Sequence, residues 1–346
     1  MRLLIVSDAW KPQVNGVSRL VTSVIPELEK LGVEVSTITP DMFRTIVCPQ
    51  YPEIRLAVTR PRTIGRYIEA RKPDFIHVVT EGPLGINARI YCRAAKLSFT
   101  SALRTRHPEY LKLYLNIPVA LTYRLMKWFH NAAERTMVSS EILANELSER
   151  GFSHLWLWPP GIDVNLFRPY TEAFLDYPRP ILLYVGRVAV EKNIEAFLRL
   201  DTQGTKVVVG DGPQLAALRA TYPEAVFAGV RSGEELARYY SAADVLVFPS
   251  KTDTFGLVTL EALACGTPVA AFNELGPRAA VGASGAACLD EDLDAAIQGA
   301  MKIPRERCRT HALKFSWANS ARSLLTGLAP CNATAAGRPL NAMLAG

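Results

Sequence analysis

Two carboxylates eight residues apart, Asp253 and Glu261, bracket the run Thr254-Phe255-Gly256-Leu257-Val258. The apolar stretch 245–248 before them reads as a strand, and Pro249, which has no N–H to donate, ends it. A polar turn over 252–256 follows, and then Leu257, Leu260, Ala262 and Ala264 recur at helical spacing. A strand's carboxyl end, a turn and a helix N-terminus therefore meet at one point, which is where open α/β sheets bind ligands. The N–H groups of residues 255–258 suit an anion, because they have no acceptor within the helix. The carboxylates suit hydroxyls, from which they accept hydrogen bonds in pairs. Phosphates and hydroxyls on one ligand describe a nucleotide-sugar. The residues alone also admit another reading, with Asp253 as a helix cap and Glu261 as a solvated or locally paired charge.

The cations that such a ligand needs stand after the apolar run 181–185, in Gly186-Arg187-Val-Ala-Val-Glu191-Lys192-Asn193. Arg187 and Lys192 lie close to one turn and can converge on a diphosphate, offsetting about two negative charges. The alternative is a solvated helix end with Glu191 as partner. Gly210-Asp211-Gly212-Pro213 makes a tight turn after the strand at 206–209. The first half repeats the pattern. A strand at 3–6 runs into a polar loop, then Asn15-Gly16, then a helical apolar face over 17–31 that Pro26 is expected to kink. Gly16 lets the backbone come close to a ligand, but the loop has neither a dinucleotide fingerprint nor a P-loop lysine. Glu81 closes a strand at 74–79, within which His77 reads as a packed residue, and Gly82, Pro83 and Gly85 turn the chain into a helix. A further strand at 99–105 carries Arg104 near its end, with His107 three residues on.

The Asp253-x7-Glu261 motif resembles the acidic-x7-acidic motif of retaining glycosyltransferases of family 4, where Glu is usual in both places. Gly186-Arg187-x3-Glu191-Lys192-Asn193 is similar to a second motif of that family, and Pro160-Gly161-Ile162-Asp163 to a third. The resemblance covers residues 1 to 328. The stretches 8–17, 80–85 and 252–258 look most like the bacterial branch that glycosylates lipids. It implies an α/β chain of two Rossmann-like domains facing a cleft (GT-B). The second acid, Glu261, would hold ribose hydroxyls. Asp253, one methylene shorter than the usual Glu, would hold the transferred sugar together with the N–H groups after it. Arg187 and Lys192 would hold the diphosphate. Asn15 and Gly16 would face the donor phosphates, and Gly186, Gly210, Asp211 and Gly212 would lie about the nucleotide. Glu81, Arg104 and His107 fall near the sugar and acceptor. Arg104 stands where many relatives have His, which leaves His107 as a substitute or Arg104 as the partner of an anionic group.

The reaction so implied is hexosyl transfer with retention, from UDP-glucose or UDP-glucuronate to a membrane lipid such as diacylglycerol. The alternatives are transfer to polysaccharide or lipid-linked oligosaccharide, a GDP-mannose-dependent mannosyltransferase, and a nucleotide-sugar epimerase. No cofactor is expected beyond the sugar donor as co-substrate, and no metal. The six cysteines have no metal-type spacing and are expected as free thiols.

These groups must be positioned by 346 residues, enough for two domains. The expected divisions are 1–170 for the acceptor and membrane side, 171–316 for the nucleotide-sugar, 317–330 as a helix crossing back, and 331–346 as a disordered tail. Residues 40–52 read as a long loop broken by proline, and 276–286 as a loose glycine-rich loop. No run of about 18 apolar residues offers a spanning helix. Residues 1–165 carry 21 Lys and Arg against 15 Asp and Glu, a net +6, whereas the remainder balances at 18 and 18. Within the first half, residues 44–127 hold 15 basic and 5 acidic residues, net +10. A basic, aromatic and apolar stretch at 110–128 suits either an anionic membrane surface or an ordinary amphipathic core helix. The expected place is the cytoplasm, peripheral at the inner face of the plasma membrane. Nucleic acid is not expected, since no RNA-binding motif accompanies the charge, and the oligomeric state is left open.

Overall fold

Short, wholly apolar strands alternating with helices require a parallel sheet covered on both faces. The computed structural model contains two such sheets and describes residues 1–13, 15–48, 51–104, 112, 116–171 and 174–332. The chain divides into two compact units, 1–161 with 317–346, and 162–316. His107 and most of the stretch 105–115 lie outside the described residues.

The first unit runs β1 (Arg2–Val6), α1 (Gly16–Lys30), β2 (Glu34–Ile38), β3 (Thr45–Cys48), β4 (Tyr51–Ala57), α2 (Pro61–Arg71), β5 (Phe75–Val78) and α3 (Pro83–Ala94). It continues with β6 (Thr100–Ala102), α4 (Val119–His130), β7 (Arg135–Val138), α5 (Glu141–Glu149) and β8 (Leu155–Leu157). Six parallel strands are ordered β2-β1-β5-β6-β7-β8. One face of the sheet is covered by Leu20, Val21, Val24 and Leu28 of α1. The other is covered by Ile64 and Ile68 of α2 with Leu84 and Ala88 of α3. α1 continues through Pro26 to Lys30.

The second unit runs β9 (Ile181–Val185), α6 (Ile194–Leu198), β10 (Thr205–Val209), α7 (Leu215–Thr221), β11 (Val226–Gly229), α8 (Gly233–Ala242) and β12 (Val245–Phe248). After it come α9 (Leu257–Ala264), β13 (Val269–Phe272), α10 (Leu275–Val281), β14 (Ala287–Asp290), α11 (Leu293–Ala300) and α12 (Arg305–Ala312). Its parallel sheet is ordered β11-β10-β9-β12-β13-β14. Every residue of β9, β12 and β13 is buried, as a central strand between two helical layers must be. α9 is buried from Thr259 to Ala264 and packs on α12, so it is apolar nearly all round rather than on one face.

Four expectations change. Residues 162–170 belong with the second unit, not the first: Ile162 and Phe167 enter its core, and Arg309 of α12 donates to the carbonyls of Phe167 (2.7 Å) and Val164 (2.9 Å). The supposed loop 40–52 holds a hairpin strand, because β-branched Thr45-Ile46-Val47 pairs antiparallel with Arg55-Leu56-Ala57. The supposed loose loop at 276–286 begins as α10, whose Leu275, Ala280 and Val281 are buried. The last helix, α13 (Trp317–Gly327), packs Ala321, Leu324 and Leu325 on the first unit, and the chain stays anchored beyond it. The Cys331 N–H donates to the Asp74 carbonyl at 2.9 Å and its side chain is buried, so residue 331 is fixed to the first unit. The rest of the expected tail, 333–346, lies outside the described residues.

Candidate active site

In the second unit the chain lays β10 and β11 to one side of β9 and then β12 to β14 on the other. The switch point falls between β9 and β12, at their carboxyl ends. Three loops meet there. The loop after β9 is tied to the turn after β10 through Gly186 N–H to the Val209 carbonyl (3.0 Å) and Val188 N–H to the Asp211 carbonyl (2.9 Å). Gly210, at φ +144°, makes this approach possible: a Cβ there would sit 1.9 Å from the Gly186 oxygen. On the other side the Glu191 carbonyl accepts from Thr252 Oγ1 (3.0 Å), and Asn193 Nδ2 donates to the Pro249 carbonyl (3.1 Å).

Lys192 ends the short 3-10 turn Val190–Lys192, and its Nζ lies 2.7 and 2.9 Å from the two carboxylate oxygens of Asp253. The side chains are 21 and 17 % exposed, so the pair is screened less than a surface bridge and still reached by solvent. Arg187 stands two residues past β9, half-buried, and its carbonyl accepts the Tyr184 hydroxyl at 2.7 Å. Gly256, at φ +84°, turns the chain into α9 where a Cβ would meet the Phe248 ring at 2.9 Å. Thr254, Leu257 and Val258 remain half-buried around that N-terminus, while Phe255 is buried against Phe315, the ring centroids 6.1 Å apart. Glu261 lies one helical stretch deeper. It is 2 % exposed and its Oε2 accepts the Tyr240 hydroxyl at 2.8 Å, so it is neither solvated nor at the surface. Asp211 is exposed and accepts from its own turn, at Gly212 N–H, 2.7 Å.

The corresponding switch point of the first unit lies between β1 and β5. Asp8 occupies it, buried, with its carboxylate accepting from Thr80 Oγ1 (2.8 Å) and from the N–H groups of Leu84 (2.9 Å) and Gly85 (3.2 Å). Burial raises its pKa against the opposing pull of these hydrogen bonds. Asn15 caps α1, its Oδ1 accepting from Ser18 N–H at 2.9 Å, and Gly16 opens that helix at the surface. Glu81 Oε1 lies 2.8 Å from Nε2 of His130, a fully buried residue whose Nδ1 meets Ser101 Oγ at 2.9 Å. The Arg104 guanidinium lies 3.9 Å from the ring centre of Trp158, and burial lowers its pKa to about 9. His77 is wholly buried beside it, edge-on to Trp158, with its pKa pushed down to about 3 by burial and then by the Arg104 charge.

The structure thus joins Lys192 and Asp253 directly and gathers Gly186, Arg187, Gly210, Asp211 and Gly212 on the same edge of one sheet. It also brings in residues that the sequence did not single out. Tyr240 comes from α8, 21 residues before Glu261. Gly276 of α10 approaches so closely that a Cβ would lie 2.5 Å from the Asp253 carbonyl oxygen. In the first unit Asp8, His130 and Trp158 are additions. Asp8 had a signal, a charge directly after an apolar strand; the other two meet their partners only through tertiary contacts.

Sequence profiles of known families match most of the chain. The profile described as Glycosyltransferase Family 4 matches residues 14–166, and that described as Glycosyl transferases group 1 matches residues 179–303. The chain is 31 % identical over 307 residues to a GDP-mannose-dependent alpha-mannosyltransferase of Mycobacterium tuberculosis, covering 80 % of each chain. It is 28 % identical to the alpha-monoglucosyldiacylglycerol synthase of Streptococcus pneumoniae, over 79 % of this chain and 71 % of that one. Among solved structures, sucrose-phosphate synthase of Thermosynechococcus elongatus superposes with a TM-score of 0.74 at 22 % identity, over 93 % of this chain and 97 % of that one. Two parallel-sheet units of the GT-B type, the matching profiles and these relatives lead to one assignment: the chain is a glycosyltransferase and belongs to glycosyltransferase family 4.

Proposed function

We propose that the enzyme transfers a hexosyl residue, with retention, from a nucleoside diphosphate sugar to a membrane lipid of the diacylglycerol class. The observation that carries the donor half is the Lys192–Asp253 pair at the switch point of the second unit. A diphosphate arriving at the N-terminus of α9 draws Lys192 toward itself, with Arg187 as the second cation. Asp253 is then released to accept from hydroxyls of the sugar. Glu261, oriented by the Tyr240 hydroxyl, accepts from the ribose. As the bond from the anomeric carbon to the diphosphate breaks, positive charge develops on the sugar and negative charge on the leaving group, which the cations and helix N–H groups stabilise. The acceptor oxygen bonds on the same face, and its proton passes to the departing phosphate oxygen.

For the donor, GDP-mannose is the first reading, supported by the name of the 31 % relative, and a UDP-linked glucose the second. For the acceptor, the diacylglycerol named in the Streptococcus pneumoniae relative supports a lipid. Labelled GDP-mannose, UDP-glucose and UDP-glucuronate offered with bacterial membrane lipids test both choices. The expected result is label in a chloroform-soluble product from one donor, with the anomeric configuration of that donor by NMR. Label found only in water-soluble polysaccharide, as free sugar or as an epimer overturns the proposal.

A further inference from the structure

Helix α4 turns its two faces to different surroundings. Thr122, Met126, Phe129 and His130 are buried within the first unit, whereas Leu121, Leu125 and Trp128 are 59, 58 and 46 % exposed. These three fall at positions i, i+4 and i+7, which is one stripe of a helix, and Arg124 is exposed within it. Single exposed apolar residues are ordinary on a protein surface, whereas a contiguous apolar patch rimmed by polar groups marks a place of contact. Cations border it. Arg89 of α3 stacks 3.5 Å from the Trp128 ring centre and donates to the Trp128 carbonyl at 2.8 Å, and the next residue, Ile90, is 40 % exposed. α4 carries no acidic residue, and the stretch of sequence 44–127, which ends within it, has a net charge of +10.

We infer that this face of α4 docks on an anionic lipid bilayer. Leu121, Leu125 and Trp128 enter the boundary between headgroups and acyl chains, where an aromatic ring with one polar edge is at home. Arg124 and Arg89 meet the lipid phosphates. Charge decides between a bilayer and a second copy of the chain: two cationic faces repel each other, while an anionic leaflet attracts either. The inference rests on the lipid-acceptor reading above and gives it a place. The inner end of the same helix carries His130, which holds Glu81 at the carboxyl edge of β5. Twelve residues of helix make about 18 Å, so the docking face and that edge belong to one short rigid element.

Flotation of the full chain with phosphatidylglycerol–phosphatidylcholine vesicles, against phosphatidylcholine alone, tests the surface. The wild type is expected to float with the anionic vesicles and much less with neutral ones, and high salt weakens the effect. Leu121→Ser/Leu125→Ser/Trp128→Ser lowers the partition coefficient by about ten-fold or more. Arg124→Glu alone, which removes no apolar packing, lowers it by about five-fold. Both variants keep the far-ultraviolet circular dichroism of the wild type and turn over detergent-dispersed acceptor within about two-fold of it, but act poorly on acceptor in vesicles. Flotation of both variants at the wild-type level overturns the inference, as does equal wild-type binding to neutral and anionic vesicles. Concentration-dependent self-association that the triple variant abolishes overturns it too, by assigning the stripe to a second copy. Failure of the acceptor reading is separate: stripe-dependent flotation together with only water-soluble product leaves the docking surface standing and removes the lipid acceptor.

Discussion

At the switch point of the first unit, Asp8 accepts three hydrogen bonds from Thr80, Leu84 and Gly85 and is buried beneath them. At the switch point of the second, Asp253 faces a lysine and both side chains still reach solvent. Both sheets are six-stranded and parallel with a switch point beside their first strand, although one strand lies on its far side in the first unit and two in the second. The difference at the switch point lies in what each carboxylate is committed to. Asp8 fastens β1 to the start of α3 and has little left for a ligand. Asp253 is held by a partly exposed lysine, the partner that a diphosphate takes away in the proposed reaction. A binding site in this fold therefore needs polar groups whose present partners are exchangeable, and position at a switch point is not sufficient.

Removing each carboxylate's connections tests the contrast. Asp8→Ala strands two buried N–H donors and a hydroxyl, so the first unit is expected to lose about 2–4 kcal/mol of stability. Calorimetry or urea unfolding reads this, and Asp8→Asn, which keeps one acceptor oxygen, should fall between the two. An unchanged melt with lost activity would move Asp8 into the donor or acceptor site and dissolve the comparison. Lys192→Ala should act the other way round. We expect kcat/KM to fall about a hundred-fold, ~2.7 kcal/mol of barrier, with little change in the melting temperature. Arg187→Ala should cost at least about ten-fold, ~1.4 kcal/mol. Normal turnover in both would show that the diphosphate is held elsewhere.

How far the sequence carried these points depends on the range of the interactions. Runs such as 181–185 and 245–248 are apolar throughout and bounded by Gly or Pro, so two parallel sheets were readable. That Lys192 and Asp253 belong to one edge was legible because each sits in a local motif at a strand's carboxyl end. Their direct pairing was not, since the sequence offered Glu191 as a partner for the cation and a helix cap as the alternative role of Asp253. The start of α10 was not, because Gly276 and Pro277 read as breakers; tertiary packing against the Asp253 turn holds the helix there. The residues alone also admitted Glu261 as a solvated or locally paired charge, and its depth was not legible: it is 2 % exposed and accepts the Tyr240 hydroxyl, a partner brought from α8 by tertiary packing. His130 offered no signal at all, since it meets Glu81 only through the packing of α4. The boundary near 161 was misjudged because residues 162–170 lack periodicity and join the second unit through Arg309 and two inserted apolar side chains.

The dryness of the first unit's edge is sharpened by pH. His77 is ordinarily protonated near 6.5, but burial and the Arg104 charge bring it to about 3 in the folded chain. Between those values the unfolded chain binds a proton that the folded chain refuses. Its contribution is fully present above 6.5 and is lost as pH falls toward 3. The expected slope is at most about 1.4 kcal/mol per pH unit. Asp8, whose pKa is raised, opposes it in the acid range. Urea midpoints of wild type and His77→Asn across pH 7 to 5 isolate the term, the variant giving the shallower curve. Parallel curves would mean that His77 gains its proton while folded, and that this edge is open to water in the way the Lys192 edge is.

The smallest effect decides on which side of the comparison Glu261 belongs. It is buried like Asp8, yet it lies on α9 eight residues beyond Asp253. Tyr240→Phe removes one hydroxyl donor and no packing volume. If Glu261 grips the ribose, the freed carboxylate reorients, and KM for the donor is expected to rise about three- to five-fold with kcat within about two-fold, ~0.7–1 kcal/mol. If Glu261 is committed to the interior as Asp8 is, the same substitution lowers the melting temperature and leaves KM alone. The two outcomes divide on different instruments, so one variant assigns Glu261 either to the exchangeable carboxylates of the second unit or to the fastening kind.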